Sequence, residues 1–421
     1  MNQLDRISVC AGWLEHDPAI GVAYIDRARG NEVISFEYRK GWLQEHPGVL
    51  LDPDLMQMTG RQYCSKEKPC FGFLSDTAPD RWGRKLMDRR ESIDAAKGHR
   101  SKAKLLESDY ILGVYDEGRT GGLRFQDAEG HFLSERSDWK TPPMEELRDL
   151  EHASLEMESN TNHDEQWLKT LLAPGSSLGG ARPKANVVDV DGSLWIAKFP
   201  SKNDVIDSGA WEMVAHDLAQ LCELRVPEAK LLKLSKYGST FLSKRFDRQK
   251  QGAYDRRIHF ASAMTMLGET DRSHVQHSYL DLLSFLEEHG AHPDQDALEL
   301  WKRIIFNLCI TNADDHLRNH GFLLENDRWT LSPAYDMNPV YDQEQLSLSI
   351  NFEETDRKLE HALEVSEYYR VQHEEALEMI QKTRSTIKRQ WRYLAKKYRI
   401  SKEEQDLMQP AFAECERELD L

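Results

Sequence analysis

The chain has 421 residues, 30% of them charged, and a net charge of −17. That length exceeds a single hydrophobic core, so two or three domains are expected. The acidic balance opposes nucleic-acid binding through the average surface, because phosphate contacts need clustered Lys and Arg. The local basic stretches, Lys85 to Arg90 and Lys388 to Arg399, read as solvated helix faces. No apolar run approaches the roughly 20 residues that cross a bilayer. The opening Met-Asn-Gln-Leu-Asp-Arg lacks the basic-then-apolar order of a secretory signal. Six scattered cysteines, with Cys64 and Cys70 the closest pair and no second pair or histidine at zinc spacing, predict free thiols and a cytoplasmic protein without membrane contact.

Residues 7–37 alternate apolar and polar around the turn Arg29-Gly30-Asn31, which predicts a small antiparallel sheet. Phe71-Gly72-Phe73-Leu74 leads into Ser75 to Arg84, where Asp76 or Thr77 is expected to cap a helix running through Lys85 and Arg89. Residues 108–114 read as loop, strand or short helix, and a further strand follows Gly121-Gly122. Thr141-Pro142-Pro143 starts a helix whose apolar stripe is Met144, Leu147 and Leu150, and Ser159 to Asn162 breaks it near the first domain boundary.

Small residues then run from Ser176 to Ala181 and lead into a hairpin, 185–190 and 194–199, around Asp191-Gly192. A glycine turn before a hairpin lets backbone N–H groups approach phosphate oxygens, although no Gly-Lys-Ser/Thr follows and this is not a P-loop. Taken alone, Gly179-Gly180 is also compatible with a plain surface turn. Lys198 shares a strand face with Leu194 and Ile196, and the opposite face is apolar as well. A buried ammonium needs a partner: nucleotide phosphates and Glu212, in a helix over 207–224, would serve. The alternative is a lysine reaching out past the sheet edge. Strands at 229–234 and 239–243 follow, then the extended Lys244 to Arg248. Helices are expected at 259–267, 278–289 and 294–310, and two or three amphipathic helices over 356–421.

The densest chemistry lies in Asn312 to Asp336. An apolar helical run, Trp301 to Ile310, enters Asn-Ala-Asp-Asp-His-Leu-Arg-Asn-His, and strands at 321–324 and 328–332 flank Glu325-Asn326-Asp327. A hairpin there would return Asp336 close to Asp314 and Asn319. The five-residue step from Asp314 to Asn319 is that of a protein-kinase catalytic loop. One carboxylate accepts a hydroxyl proton, and an amide oxygen with a second carboxylate suits magnesium, which prefers hard oxygen ligands.

Phe71 to Leu74 with Pro79 to Arg84, Ile111 to Val114 with Leu123 to Phe125, Ser177 to Lys184, Ile196 to Lys198, Lys244 to Arg248, Asn312 to Asn319 and Ala334 to Asp336 occur in this order. Together they resemble the HipA-like toxin kinases, the serine/threonine kinases of bacterial toxin–antitoxin pairs. The resemblance covers most of the chain. It implies an α+β, kinase-like two-lobed fold: an additional N-terminal α+β domain over 1–150, a small lobe with a glycine-rich loop over 151–247, and an all-helical large lobe over 248–421. It implies ATP and Mg, with Asp314 as catalytic base and Asn319 and Asp336 as metal ligands. Lys198 would hold the α/β-phosphates, paired with Glu212. Leu178, Gly179, Gly180 and Ala181 would cover the phosphates within reach of Lys184. Arg245 and Phe246 would line the adenine, Asp247 the ribose, and His316 would sit beside the nucleotide. Ser177 matches an autophosphorylated serine; its phosphate would add about −1.5 to −2 charge against ATP and inactivate the enzyme.

The implied substrate is a protein, in the family a translation factor such as an aminoacyl-tRNA synthetase. No helix-turn-helix region is visible, so a separate antitoxin carrying one is expected, and DNA contact mainly through it. Two departures stand out: Arg182-Pro183 replaces a Gln-Glu, and Asp315 replaces a glycine often found after the catalytic Asp. A small-molecule or lipid kinase on the same fold, and a pseudokinase co-repressor module, remain open alternatives. The second would tolerate loss of Asp314, Asn319 or Asp336, and all three are present.

Overall fold

The computed structural model describes residues 5–135, 141–158, 171, 182–251, 254–271, 273, 275–343, 345–351 and 354–418. The chain forms two compact units that interleave in sequence, Met1–Ser201 with Lys244–Asp271, and Lys202–Ser243 with Arg272–Leu421.

The first unit is built on a five-stranded antiparallel sheet of β1 (Arg6–Ala11), β2 (Ala19–Ala28), β3 (Asn31–Tyr38), β4 (Gln62–Tyr63) and β5 (Leu123–Gln126), in the order β4-β3-β2-β1-β5. The predicted turn between β2 and β3 is present. Arg29 and Gly30 both have positive φ, 51° and 78°, the backbone of a tight two-residue hairpin. Phe36, Phe71 and Phe73 pack edge to face under the sheet.

The helix Arg81–Lys97 is capped by Asp80, whose Oδ1 accepts from Gly83 N at 2.8 Å. Asp76 and Thr77, the caps expected from sequence, do other work. Both Asp76 carboxylate oxygens accept from Ser262, its N–H at 2.7 Å and its hydroxyl at 2.8 Å. Thr77 donates to Leu74 O. Residues Glu107–Gly113 settle as a short helix. Pro143 precedes a 3-10 turn, Met144–Glu146, that leads into the helix Leu147–Glu158, with Leu147 and Leu150 buried.

The hairpin around Asp191-Gly192 is present, with strands Lys184–Val188 and Leu194–Lys198 and Gly192 at φ 83°. An unexpected hairpin pairs Arg248–Gln251 with Tyr254–Arg257. It is followed by a strand, Phe260–Ser262, and a helix reduced to Ala263–Met266. The longer helix expected over 259–267 fails because residues 260–262 are extended, and Ser262 caps the short helix through Thr265 N.

In the second unit Asp207 caps the helix Ser208–Leu221 by accepting from Ala210 N at 3.2 Å. The expected hairpin pairs Ala229–Leu232 with Thr240–Lys244. The helices Tyr279–His289, Pro293–Ile310 and His373–Lys397 surround the core. Pro293–Ile310 is the central one: Leu300, Trp301, Ile304, Ile305, Phe306 and Leu308 are all buried, each contributing about 1.5–3 kcal/mol. Trp391 stacks on Phe412 at 4.5 Å, closing the far side. No described helix is long and apolar enough to cross a membrane.

Candidate active site

The helix Pro293–Ile310 ends where Thr311 turns to φ 52°, a left-handed stop. Its hydroxyl donates to Ala411 O at 2.7 Å and accepts from Arg357 at 2.6 Å, so the start of the following loop is pinned. That loop carries Asp314 outward: its carboxylate is exposed, whereas Asn312, Ala313 and Asp315 on either side are buried.

Asp315 is the anchor. Its Oδ2 accepts from Tyr279 OH at 2.5 Å and from Asn307 Nδ2 at 2.9 Å, and His320 Nε2 lies 2.8 Å away. Burial alone would raise the Asp315 pKa. The attraction of His320 and the hydrogen bonds from His320 and Tyr279 outweigh it, and the carboxyl is held below its ordinary range. Neighbouring Asp residues therefore face opposite ways, one satisfied inside and one presented to solvent.

Asn319, in the 3-10 turn Leu317–Asn319, is 6% exposed and donates its side-chain N–H to Asp314 O at 3.0 Å. This fixes the amide orientation and turns its oxygen away from that bond. The hairpin Gly321–Glu325 with Arg328–Leu331 forms as expected. Phe322 pairs with Leu331, and Asn326 and Asp327 both have positive φ, 48° and 63°.

Beyond the hairpin the chain returns to the loop. Ser332 O accepts from Arg303 at 2.6 Å, and Tyr335 OH donates to Arg318 O at 2.8 Å. Asn338 N donates to Asn312 Oδ1 at 3.3 Å, and Val340 N to Thr311 O at 3.0 Å. Asp336, half-buried, sits between these ties at φ 58°. Asp tolerates that backbone region better than most residues, and strain of this kind concentrates at functional sites. An amide oxygen such as that of Asn319 and a carboxylate such as that of Asp336 are the hard-oxygen donor types that suit magnesium.

The other expected site residues have their own surroundings, several of them in the first unit. Lys184 Nζ is 2.9 Å from Asp80 Oδ2, both side chains 3% exposed. Arg245 and Asp247 form a buried pair. Asp247 also accepts from Gly121 N at 2.7 Å and from Arg248, while Arg245 donates to Gly118 O and Arg119 O. Opposed by burial, the two guanidinium charges still hold the Asp247 carboxyl far below its usual range. Phe246 is half-buried with its ring 6.1 Å from that of Phe260. Lys198 ends its strand opposite Lys184; Glu212 is buried in the helix Ser208–Leu221 of the other unit. His316 is half-buried beside Asp314. Ser177, Leu178, Gly179, Gly180 and Ala181 lie outside the described residues.

Sequence reasoning assigned no role to Tyr279, Asn307 or Asn338. The signal for Asn307 was present: a carboxamide inside an otherwise apolar helical run is a buried polar group that must find partners.

The fold is that of the HipA kinases. The solved complex of HipA, HipB and operator DNA from Shewanella oneidensis MR-1 superposes with a TM-score of 0.67 at 18% identity, over 98% of this chain and 97% of that one. The sequence profile of the HipA-like C-terminal domain matches residues 176–391, just over half of the chain, and the chain belongs to that family. Two curated proteins of Sinorhizobium fredii are similar in sequence. "Putative kinase Y4mE" is 29% identical over 182 residues and "Putative kinase Y4dM" 28% over 183. The matches cover 38% and 39% of this chain, and the chain spans only about two fifths, 41% and 42%, of those relatives.

Proposed function

We propose that this chain is an ATP- and magnesium-dependent serine/threonine protein kinase, and the toxin of a toxin–antitoxin pair. The observation that carries the reading is the opposed orientation of Asp314 and Asp315, together with the Asn319 amide bound to Asp314 O. Asp314 is the base: its exposed carboxylate accepts the proton of an incoming hydroxyl. Asn319 Oδ1 and the Asp336 carboxylate hold magnesium, and the bound ion would offset charge on the nucleotide phosphates. Lys198 is proposed for the α/β-phosphates and Ser177 for self-inactivating phosphorylation, both on the sequence pattern. Arg245 and Asp247 act by holding their segment in place, since each already has a full set of protein partners. The relative from Shewanella is a complex with HipB and operator DNA. By extension a separate DNA-binding antitoxin is the proposed partner here.

The test is transfer of label from γ-phosphate-labelled ATP to protein with and without Mg. Labelling by wild type that Asp314→Gln abolishes is the expected result. Retained labelling in that variant overturns the assignment, and label found only in extracted metabolites favours a small-molecule kinase.

A further inference from the structure

Asn338 makes two hydrogen bonds that point in different directions. Its backbone N–H donates to Asn312 Oδ1 at 3.3 Å, and its side-chain Nδ2 donates to Asp336 Oδ1 at 3.3 Å. Asn312 is in turn fixed by donating its own Nδ2 to Asn307 Oδ1 at 3.2 Å. Asn307 donates to Asp315 Oδ2 at 2.9 Å. An unbroken line of hydrogen bonds therefore runs from the anchor beside Asp314 to the carboxylate of Asp336, entirely within one compact unit.

The backbone explains why such a clip is needed. Asp336 sits at φ 58°, a conformation that Asp tolerates better than most residues but that neighbouring contacts still help to hold. Asn338 supplies two of those holds two residues later: it fixes the chain to the loop and one oxygen of the carboxylate to a donor. A donor on one oxygen restricts rotation of the carboxylate and so gives it a fixed direction. A cation needs that fixed direction, because ordering a free carboxylate costs binding energy.

We propose that Asn338 is a positioning residue for the divalent cation. Through Asn312 it sets the register of Asp336 on the catalytic loop, and through Nδ2 it orients the carboxylate. This rests on the reading of Asp336 as a metal ligand given above. It adds a residue that touches neither cation nor nucleotide.

The test is a Mn2+ titration, read by electron paramagnetic resonance of the free ion. It uses the full chain with a non-hydrolysable ATP analogue, for wild type, Asp336→Asn, Asn338→Leu and Asn338→Ala. Leu keeps the γ-branched shape of Asn, though it is bulkier, and removes the donor. Expected is a dissociation constant about 10–100-fold higher in both Asn338 variants, the usual effect of losing a partner behind a metal ligand. Phosphotransfer in those variants should recover toward wild type as Mg is raised, which a general packing defect would not do. If Asp336→Asn loses Mn2+ while both Asn338 variants bind like wild type, the role of Asn338 is overturned and that of Asp336 stands. If Asp336→Asn itself binds normally, the metal-ligand reading fails and takes the proposal with it. Should Asn338→Leu not fold, Asn338→Ala carries the same two outcomes.

Discussion

The pair Asp314 and Asp315 gives the sharpest test, because adjacent identical residues should fail in opposite ways. Asp315→Ala removes an acceptor shared by Tyr279, Asn307 and His320. Asn307 Nδ2 keeps a second acceptor, the Tyr279 oxygen at 3.2 Å, so two buried donors lose their partner. At about 1–3 kcal/mol each the loss is about 2–6 kcal/mol, which brackets the about 3–5 kcal/mol typical of truncating one member of a buried pair. Asp314→Ala removes an exposed carboxylate and should leave stability unchanged while abolishing phosphotransfer. Urea denaturation followed by circular dichroism reads the stability. A loss in Asp315→Ala below about 1 kcal/mol, the net worth of one ordinary hydrogen bond, refutes the anchoring argument. So does an equal loss in Asp314→Ala.

The same carboxylate gives a pH signature. The folded-state pKa of Asp315 is depressed, so its stabilisation is fully present above the unfolded carboxylate range. It is lost as pH falls through the lower folded value. The stability gap between wild type and Asp315→Asn should therefore be constant near neutrality and close only in acid. A gap that closes between pH 6 and pH 8 would point to a histidine instead.

Two further outcomes concern the first unit. Lys184→Ala strands the buried Asp80 carboxylate and should cost about 3–5 kcal/mol in urea denaturation; a change too small to measure would return Lys184 to the phosphate role expected from sequence. Asp52 is raised to about 6, chiefly by burial, against its backbone N–H donors Asp54 and Phe73 and against Lys68. Folding therefore favours its protonated form, and stability should fall as pH rises from 4 to 6 and level off above that. Carbon-13 NMR of the carboxyl finding a midpoint near 4 would refute it.

The parts of the fold legible in sequence are those set by local rules. Asp191-Gly192 and Asn326-Asp327 mark hairpins because few residue pairs accept the backbone of a tight turn. The pairing of Asp314 with Asn319 is legible because spacing within one loop survives folding, and Asn319 Nδ2 donates to Asp314 O. The protein partners of Arg245, Asp247 and Lys184 are not legible in the sequence, because they come from remote segments: Gly118 to Gly121 for the first two and Asp80 for the third. The helix cap shows the same limit at short range. Asp76 and Asp80 are both proper caps by composition. Ser262, far along the chain, claims Asp76 and leaves the helix to Asp80.

The Asp-Asp pair shows what spacing can and cannot decide. Five residues from Asp314 to Asn319 single out the first aspartate, but the second lies four residues from the same asparagine, and composition treats the two alike. Their difference comes from Tyr279, Asn307 and His320, which three separate segments bring to one buried point. The side chain that follows Asp314 enters that point without carrying Asp314 with it. A glycine there would leave the inward position empty, and the loop would have to be held by other contacts. In this chain Asp315 is the anchor, so Asp315→Gly should behave as a loss of stability.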